Sequence, residues 1–236
     1  MQSLQEVIAS LRGGLIVSVQ PAGPALDRAE IMVAFALEAQ RAGCVGYRTG
    51  NARDTRAVAA ATGLPVMGIP QDGGCHHEPG VVTYRLESAR EIVEAGAAVV
   101  AVEASHCEVR GPLTLPEFIR GIHEELGALV MADVSCREEG LRAVEYGADL
   151  VATTLSGYTP STAHLRERGP DLELVQALAQ AVDVPVIAEG RYHTGAQAAA
   201  ALRAGAYAVV VGTAITNPFW ITQGFVQAMQ AVGRGA

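Results

Sequence analysis

Polar residues stand at the ends of several strongly apolar segments of this sequence. Asp133 ends the apolar part of "ALVMADVS" (128–135), and Glu189 does the same in "VPVIAEG" (184–190). An ionisable side chain that ends a buried strand favours a functional role, because a carboxylate there can act as a general acid or base. Similar strand-end positions are held by Ser18, Gln20, Arg48, Gln71, Glu103, Thr153, Thr154 and Thr213. Any of these taken alone could instead cap a helix or satisfy loop backbone.

Two turns that contain glycine follow the last two apolar segments. They read "AEGRY" (188–192) and "VGTAIT" (211–216), with Gly190 and Gly212 at the turn positions. Glycine lets a phosphate approach backbone N–H groups closely, and the turns after the last two strands of a barrel are common phosphate sites. Either glycine alone could simply make a tight turn, but the pair predicts a phosphate-binding region.

Two loops carry residue types that bind metals, and they read Cys75-His76-His77-Glu78 and Ser105-His106-Cys107-Glu108. Neither has a recognised ligand spacing, so we predict exposed loop residues and no bound metal. One alternative is a zinc ion held by Cys75, His76, His77, His106 and Cys107. Another alternative is that His76 or His77 acts as a base in the reaction.

The elements that would position these residues repeat along the chain. A helix ends on glycine and an apolar strand follows in "RAGCVGYR" (41–48), "EAGAAVVAVEA" (94–104), "EYGADLVATT" (145–154) and "RAGAYAVVVGTA" (203–214). Short, uniformly apolar strands are typical of buried parallel sheets. The pattern predicts eight strands, near 14–20, 45–49, 65–70, 98–104, 129–134, 150–155, 185–189 and 207–213. The helical segments that it predicts include 27–42, 86–95, 114–126, 137–146, 171–182, 194–204 and 218–232.

Eight strand–helix units in 236 residues predict an α/β fold, a (β/α)₈ TIM barrel of the phosphate-binding type, rather than an open doubly wound sheet. We predict a single domain over residues 1–236, with a short helix near 2–12 that closes the N-terminal mouth of the barrel. The active site of such a barrel lies at the C-terminal ends of its strands. The polar strand ends should therefore surround one site.

Composition narrows the class of partner. The net charge is −8, and all 17 basic residues are arginines. An acidic chain without basic runs is a poor candidate for binding nucleic acid or an anionic membrane, so we expect a small-molecule partner. No apolar run approaches the ~18 residues of a membrane span, the first residues lack the basic start of a signal peptide, and the four cysteines form no CxxC pair. We therefore expect a cytoplasmic protein with reduced thiols.

Seven short strings of the sequence together carry a family resemblance. In chain order they are "GGLIVSVQP", "GYR", "PVMGI", "MADVS", "TTLSGYT", "VIAEG" and "VVVGTAIT…ITQGFVQAM". In this order they resemble the N-acylglucosamine-6-phosphate 2-epimerase family, also called N-acetylmannosamine-6-phosphate 2-epimerase. The resemblance runs from about Gly13 to Met229. It implies a phosphate-binding barrel that interconverts N-acetylmannosamine 6-phosphate and N-acetylglucosamine 6-phosphate in the use of sialic acid. A base would remove the C2 proton of the open-chain sugar to give an enolate, and reprotonation on the other face would invert C2. No cofactor is expected.

The resemblance also implies roles for individual residues. Glu189 matches the catalytic glutamate of the family, and Gly190, Gly212 and Thr213 match its phosphate region. The substrate-binding positions that we infer are Gln20, Arg48, Asp133, Thr154, Arg191 and Asn217.

Two positions depart from the family pattern. The family reads G-I-x-K after the third strand, and this chain reads Gly68-Ile69-Pro70-Gln71 and contains no lysine. The family often reads T-R-P after the eighth strand, where this chain has Asn217 in place of the arginine. An amide can donate a hydrogen bond to an enolate but cannot exchange a proton with carbon near neutral pH, so Gln71 can only orient the substrate.

These departures leave alternatives open. The barrel could be an isomerase for another phosphorylated sugar, or a catalytically silent barrel that binds a sugar phosphate. An intact set of Arg48, Asp133 and Glu189 favours an enzyme. The apolar residues Phe219, Trp220, Phe225 and Met229 of the last helix either pack on the barrel or form a homodimer contact, and we expect a homodimer.

Overall fold

The computed structural model of the protein describes residues 3–70, 81–82 and 84–233. Parallel strands form a closed eight-stranded barrel, which confirms the predicted (β/α)₈ fold. Going round the barrel, these strands are β1 (Leu15–Ser18), β2 (Gly46–Thr49), β3 (Val66–Gly68), β5 (Val99–Glu103), β7 (Leu129–Asp133), β8 (Leu150–Ala152), β9 (Val186–Glu189) and β10 (Ala208–Val211). A separate parallel pair joins β4 (Val81–Val82) to β6 (Glu108–Val109). The sequence did not predict this pair, because two-residue strands carry no periodic signal.

Ten α-helices lie in the described part of the chain, and most of them surround the barrel on its outer side. They are α1 (Leu4–Leu11), α2 (Ala29–Arg41), α3 (Ala52–Thr62), α4 (Leu86–Glu94), α5 (Leu115–Gly121), α6 (Arg137–Glu145), α7 (Leu172–Ala179), α8 (Gly195–Arg203), α9 (Thr213–Thr216) and α10 (Pro218–Gly233). Short 3₁₀ helices span Pro24–Leu26 and Ala163–Arg168, and a π-helical turn spans Ile122–Leu126. The predicted helix 114–126 is therefore α5 continued by the π turn.

Local sequence signals explain several helix ends. Asn51 begins α3, and its side chain accepts a hydrogen bond from Asp54 N. The same helix ends at Gly63 with φ 66°, and the π turn ends at Gly127 with φ 63°, both in the left-handed region that glycine adopts at low cost. These caps fix where the chain turns back towards the next strand.

Alternate residues of each strand face inward and outward. Met67, Val99, Ala101 and Met131 belong to a buried cluster inside the barrel, whereas Val100 belongs to a second cluster between the strands and the helices. Residues two positions apart on a strand share a face. A strand whose alternate residues face the barrel interior can therefore place a polar side chain in that interior at its C-terminal end.

The N-terminal end of the barrel is covered by α1. Val7 and Leu11 of this helix are buried in the same cluster as the inward-facing strand residues. A Cβ atom on Gly46, the first residue of β2, would lie 3.2 Å from the Leu11 side chain. The short N-terminal helix thus has the place predicted for it, whereas a single domain over residues 1–236 stays a prediction.

The last helix, α10, differs from the others because none of its residues from 218 to 232 is buried. Phe219, Phe225, Met229 and Val232 are 71%, 70%, 74% and 78% exposed. Within the part of the chain that is described, no helix combines the length and apolar character needed to cross a membrane.

Candidate active site

Two connected cavities open at the C-terminal ends of the barrel strands. One has a volume of about 530 Å³ and the other about 340 Å³, and we call them the larger and the smaller cavity. Gln20, Thr154, Tyr158 and Glu189 line both. These four residues therefore mark the junction, where a bound molecule could extend into both cavities.

The alternation of inward- and outward-facing residues decides which strand-end side chains reach the C-terminal end of the barrel. Arg48, Glu103, Asp133 and Glu189 end or nearly end β2, β5, β7 and β9, and all four line the larger cavity. Glu103 and Asp133 are direct partners in the strand register. The barrel thus gathers four charged side chains at one end of an apolar interior.

Arg48 joins two of these carboxylates. Its Nη1 donates to Asp133 Oδ1 at 3.0 Å, its Nη2 donates to Asp133 Oδ2, and Nη1 also donates to Glu189 Oε2. Thr154 completes the cluster, since its Oγ1 donates to Asp133 Oδ1 at 2.6 Å and lies 3.2 Å from Glu189 Oε2. The Arg48 side chain is only 3% exposed. A buried charge needs such partners, so the cluster is held as one unit.

Burial and the ion pairs together shift the pKa values of Glu189 and Arg48. Burial raises the pKa of the Glu189 carboxyl, Arg48 opposes that change and Asp133 adds to it, and the net direction is upward. Burial alone would lower the pKa of the Arg48 guanidinium, but Asp133 and Glu189 raise it overall, so Arg48 stays charged. A carboxyl whose pKa moves towards neutrality is suited to taking up and returning a proton.

A second threonine holds the backbone of Glu189. Thr153 Oγ1 donates to Glu189 O at 3.0 Å and accepts from Glu189 N at 3.1 Å. Thr153 is 1% exposed and, by the alternation of Val151 outward and Ala152 inward, faces away from the barrel interior. Thr154 lines both cavities. The pair Thr153 and Thr154 therefore orients both the backbone and the side chain of Glu189.

The smaller cavity contains the predicted phosphate region. Gly190, Gly212 and Thr213 line it, together with Ser18 and Asn217. Gly190 has φ 107°, and a Cβ atom on Gly212 would lie 3.1 Å from Ser18 Cβ. Side chains at these two positions would strain the backbone or crowd the cavity, so glycine leaves room for a ligand.

Arg191 and Asn217 line the smaller cavity but also have structural contacts. Arg191 Nε donates to Gly169 O at 2.5 Å, its Nη1 donates to Ser156 O, and its backbone has φ 60°. These bonds hold the segment between β8 and α7 over the site. Asn217 Oδ1 accepts from Trp220 N at 3.0 Å and so caps α10.

Tyr158 at the cavity junction lies beside two cations. The guanidinium carbons of Arg166 and Arg191 are 5.3 Å and 5.6 Å from the centre of its ring. Arg166 lines the larger cavity and Arg191 the smaller one, so each cavity has a positive group next to the junction. Arg191 was predicted from the sequence, whereas Tyr158 and Arg166 were not, because they follow no strand directly.

The structure describes part of the predicted loop chemistry. Gln71, Cys75, His76 and His77 lie outside the described residues. His106 lines the larger cavity, and Cys107 is half-buried and packs against the cluster between strands and helices.

Among the described residues, His106, Cys136 and Glu139 have ligand-type atoms that lie within 4.8 Å of one another. The two Glu139 oxygens already accept from backbone N–H groups of residues 106, 135 and 136, and Arg142 Nη1 lies 2.7 Å from His106 Nε2. Burial raises the pKa of the Cys136 thiol, which disfavours the thiolate that a metal would need. This set of atoms fits hydrogen bonding better than metal binding.

No individual role for Glu103 or Glu139 was predicted from the sequence. Glu103 stood among the polar strand ends, and the two-residue alternation from Val99 through Ala101 would have marked it as inward-facing. Glu139 gave no comparable signal, because a glutamate in the first turn of a helix is common in exposed positions.

Comparison with known proteins gives a consistent result. A family model described as "Putative N-acetylmannosamine-6-phosphate epimerase" matches residues 32–231. A relative from Caldanaerobacter subterraneus subsp. tengcongensis, named "Putative N-acetylmannosamine-6-phosphate 2-epimerase", is 43% identical over 94% of this chain and 93% of its own. A relative of the same name from Cutibacterium acnes is 42% identical over 95% of this chain and 97% of its own. The solved structure of the N-acetylmannosamine-6-phosphate 2-epimerase from Clostridium perfringens is similar, with a TM-score of 0.85 and 33% identity over 94% of this chain and 95% of the other.

Proposed function

The chain belongs to the N-acetylmannosamine-6-phosphate epimerase family, and from this premise we propose that it interconverts N-acetylmannosamine 6-phosphate and N-acetylglucosamine 6-phosphate by inverting C2. The observation that supports this most directly is the buried cluster of Arg48, Asp133, Thr154 and Glu189 at the junction of the two cavities. It combines a proton-exchanging carboxyl with fixed hydrogen-bonding groups.

The two cavities suggest how the substrate lies. Its phosphate would occupy the smaller cavity, near Gly190, Gly212 and Thr213, with Arg191 and Asn217 at its edge. The reacting end of the sugar would then reach Glu189 at the junction. Gln20, Arg48, Asp133 and Thr154 would bind its oxygen atoms. The acyl group would extend into the larger cavity.

The chemistry at C2 follows from this pose. In the open-chain sugar C2 is next to the C1 aldehyde, so removal of its proton gives an enolate whose charge rests on O1. Glu189 is the catalytic residue that exchanges a proton with C2. Arg48 lies next to Glu189 and keeps its charge, so it can bind the oxygen that becomes negative. The protons balance when a second donor at the site delivers a proton to the opposite face of C2 and exchange with solvent restores both groups.

Exchange of the C2 hydrogen tests the proposed function. The protein is incubated with N-acetylmannosamine 6-phosphate in D₂O, and the C2 hydrogen of both sugars is followed by NMR. We expect deuterium at C2 together with formation of the epimer. Replacing Glu189 by Gln should lower the rate of epimerisation by about 10²–10⁴-fold, since a general acid or base is lost.

Glu173→Gln is the matched control for this experiment, because Glu173 is exposed on α7 away from the cavities. Its epimerisation rate should equal that of the unchanged protein. Binding of the sugar phosphate without exchange at C2 would contradict the epimerase and favour a silent barrel.

We also propose that the protein works in the cytoplasm, because its doubly charged substrate would cross a bilayer only at a high desolvation cost. Fractionation of cells that produce the protein would test this. Recovery of the activity outside the cytoplasmic fraction would contradict it.

We further propose a homodimer in which α10 of each copy packs on the barrel of the other. The last helix of a (β/α)₈ barrel belongs in the outer ring, next to the helices before and after it in space, which here are α8 and α2. Leu202 on α8 and Leu37 on α2 are 37% and 40% exposed, so this part of the wall is uncovered. The exposed face of α10 is apolar, as is this uncovered part of the wall. In a dimer, α10 of the second copy can cover it.

A further inference from the structure

A phosphate group in the smaller cavity needs positive charge around it. Such a group is close to a dianion at neutral pH, and removing that charge from water is costly unless it is paired. The turns at Gly190 and Gly212 leave room for the phosphate but bring no charged side chain. Asn217 lines the same cavity and is neutral, at the position where the family pattern often reads arginine. The positive charge has to come from another part of the lining.

Two described residues of this lining can carry a positive charge, and they are Arg191 and His193. Arg191 already donates from Nε to Gly169 O at 2.5 Å and from Nη1 to Ser156 O. Part of its guanidinium group is thus used to hold the segment that follows β8. His193 lies two positions further along the chain and adds a group whose charge depends on a proton.

The imidazole ring of His193 is available to a ligand. Within the described part of the chain, neither of its ring nitrogens has a hydrogen-bonding partner, and the residue bonds through its backbone N, which donates to Gln197 Oε1 at 2.8 Å. The rings of His106 and His123, in contrast, are each bonded to a carboxylate. A ring N–H of His193 can therefore donate to a phosphate oxygen.

The His193 ring is held in place by α10. It lies against the ring of Trp220, with ring centres 4.5 Å apart and an angle of 38° between the planes. The backbone N of Trp220 donates to Asn217 Oδ1 at 3.0 Å, so the contact keeps the imidazole next to the end of α10 that bears Asn217. The indole ring also attracts a cation, which favours a protonated imidazole beside it.

The charges around His193 leave it without a negative partner before a ligand binds. Burial lowers the pKa of its imidazole below the ordinary value, and the positive charge of Arg191 lowers it further. Of the two helices in contact with it, α10 has no charged residue and α8 has Arg203 alone, in its last turn. The other charged residue that lines the cavity, Glu189, is paired with Arg48. A phosphate dianion would supply the missing negative charge and raise this pKa.

We propose that His193 binds the phosphate of the substrate and takes up a proton as it does so. The inference rests on the proposed function, which puts the phosphate in the smaller cavity. A ring N–H donates to a phosphate oxygen, and the imidazolium charge offsets part of the dianion. No covalent bond of the substrate changes: one proton passes from water to His193 on binding and returns to water on release.

The proton uptake makes binding depend on pH. Binding raises the pKa of His193, so the protein gains a proton between the pKa of the free form and that of the bound form. Affinity for the dianion therefore falls as pH rises through this range. A binding site made only of arginine and backbone N–H groups would not show this dependence, because those groups do not titrate near neutral pH.

Titration calorimetry with an unreactive ligand tests the proposal. The ligand is the C1-reduced alcohol of N-acetylglucosamine 6-phosphate, which has no aldehyde and cannot lose its C2 proton. Measuring the heat of binding at pH 7.5 in two buffers of different ionisation enthalpy gives the number of protons taken up. We expect the unchanged protein to take up a measurable fraction of one proton.

Two substitutions separate the charge of His193 from its packing. His193→Gln keeps a neutral donor but has no charge, so Kd should rise by about 10-fold and the proton uptake should fall to the small amount that comes from the phosphate itself. His193→Arg has a permanent charge and can still lie against Trp220. Its Kd should stay close to that of the unchanged protein, again without uptake by residue 193.

His164→Gln is the matched control. His164 is an exposed histidine of the 3₁₀ segment Ala163–Arg168 and lines neither cavity. Its Kd and proton uptake should equal those of the unchanged protein.

The possible results are distinct. Proton uptake or Kd unaltered in His193→Gln would overturn the role of His193. An equal loss of affinity in His193→Gln and His193→Arg would also overturn it, since the side chain would then act by its packing alone. Absence of C2 exchange from N-acetylmannosamine 6-phosphate would contradict the epimerase function, and it would leave proton uptake by His193 intact because the calorimetric ligand cannot react.

Discussion

Thr153 shows how one side chain can position Glu189, the proposed catalytic group, without touching the substrate. Its hydroxyl bonds to both backbone groups of Glu189. We expect Thr153→Val, which keeps the shape and removes the hydroxyl, to lower kcat more than it raises KM, because the base is displaced while the binding groups remain. The buried Glu189 N–H loses its partner, so the free energy of unfolding should fall by about 1–3 kcal/mol. Steady-state kinetics and urea unfolding measure the two effects.

Thr153→Ser is the control for this substitution because it keeps the hydroxyl. Its kcat should lie much closer to that of the unchanged protein than the kcat of the valine variant. If Thr153→Val kept full kcat, the placement of Glu189 would not depend on this contact.

At this scale the sequence predicted which residue types meet, but not how they pair. Arg48, Asp133 and Glu189 were identifiable because each follows an apolar strand. Their ion pairs join residues 85 and 141 positions apart, and only barrel closure brings them together. The positive φ of Arg191 was not predictable either, because a left-handed non-glycine residue depends on its tertiary contacts.

Among the secondary-structure elements, α6 carries a buried carboxylate that ties two loops together. Glu139 Oε1 accepts from His106 N at 2.6 Å, and Oε2 accepts from Ser135 N at 2.6 Å. These loops follow β5 and β7, the strands that end in Glu103 and Asp133. The helix therefore fixes the spacing of two strand ends at the site.

The stability contributed by Glu139 should depend on pH. Burial alone would raise the pKa of this carboxyl, but hydrogen bonds from Ser135 and His106 bring it below its ordinary value. A lowered pKa means that the contribution is present above the unfolded pKa of about 4.3 and is lost as pH falls through the lower folded value. Glu139→Gln should thus lower the free energy of unfolding by about 1–3 kcal/mol at neutral pH, with a smaller difference in acid.

Denaturant unfolding at several pH values measures this difference. Glu145→Gln, an exposed position on the same helix, serves as the control and should change stability by less than about 0.5 kcal/mol throughout. An effect of Glu139→Gln that stayed constant across the acid range would contradict an ionised carboxylate at this position.

The elements themselves were largely predictable. Most of the eight strands follow from apolar runs, and helix ends follow from glycines such as Gly63 and Gly127. The π turn at Ile122–Leu126 was not, because its apolar spacing fits an α-helix equally well. The exposure of α10 was not predictable either. An amphipathic sequence pattern does not show whether the apolar face of a helix packs on its own barrel or contacts a second copy.

At the scale of the whole molecule, α10 connects the proposed dimer contact to the site. Asn217, which lines the smaller cavity, caps this helix, and Trp220 in its first turn stacks on His193 with ring centres 4.5 Å apart. A partner that holds α10 in place would also hold one edge of the phosphate region. Loss of the dimer should therefore raise KM for the sugar phosphate.

Charged residues on the apolar face of α10 test this coupling. Phe225 and Met229 are four positions apart, so they share a face of the helix, and burying each stabilises a dimer by about 1.5–3 kcal/mol. We expect Phe225→Glu with Met229→Glu to give a monomer of 24.5 kDa by light scattering, where the unchanged chain gives twice that mass. Gln223→Glu with Gln227→Glu adds the same charge on the opposite face and should leave both the dimer and KM unchanged. A monomeric unchanged chain at micromolar concentration, or a dimer that survives the apolar-face substitutions, would contradict an interface built on α10.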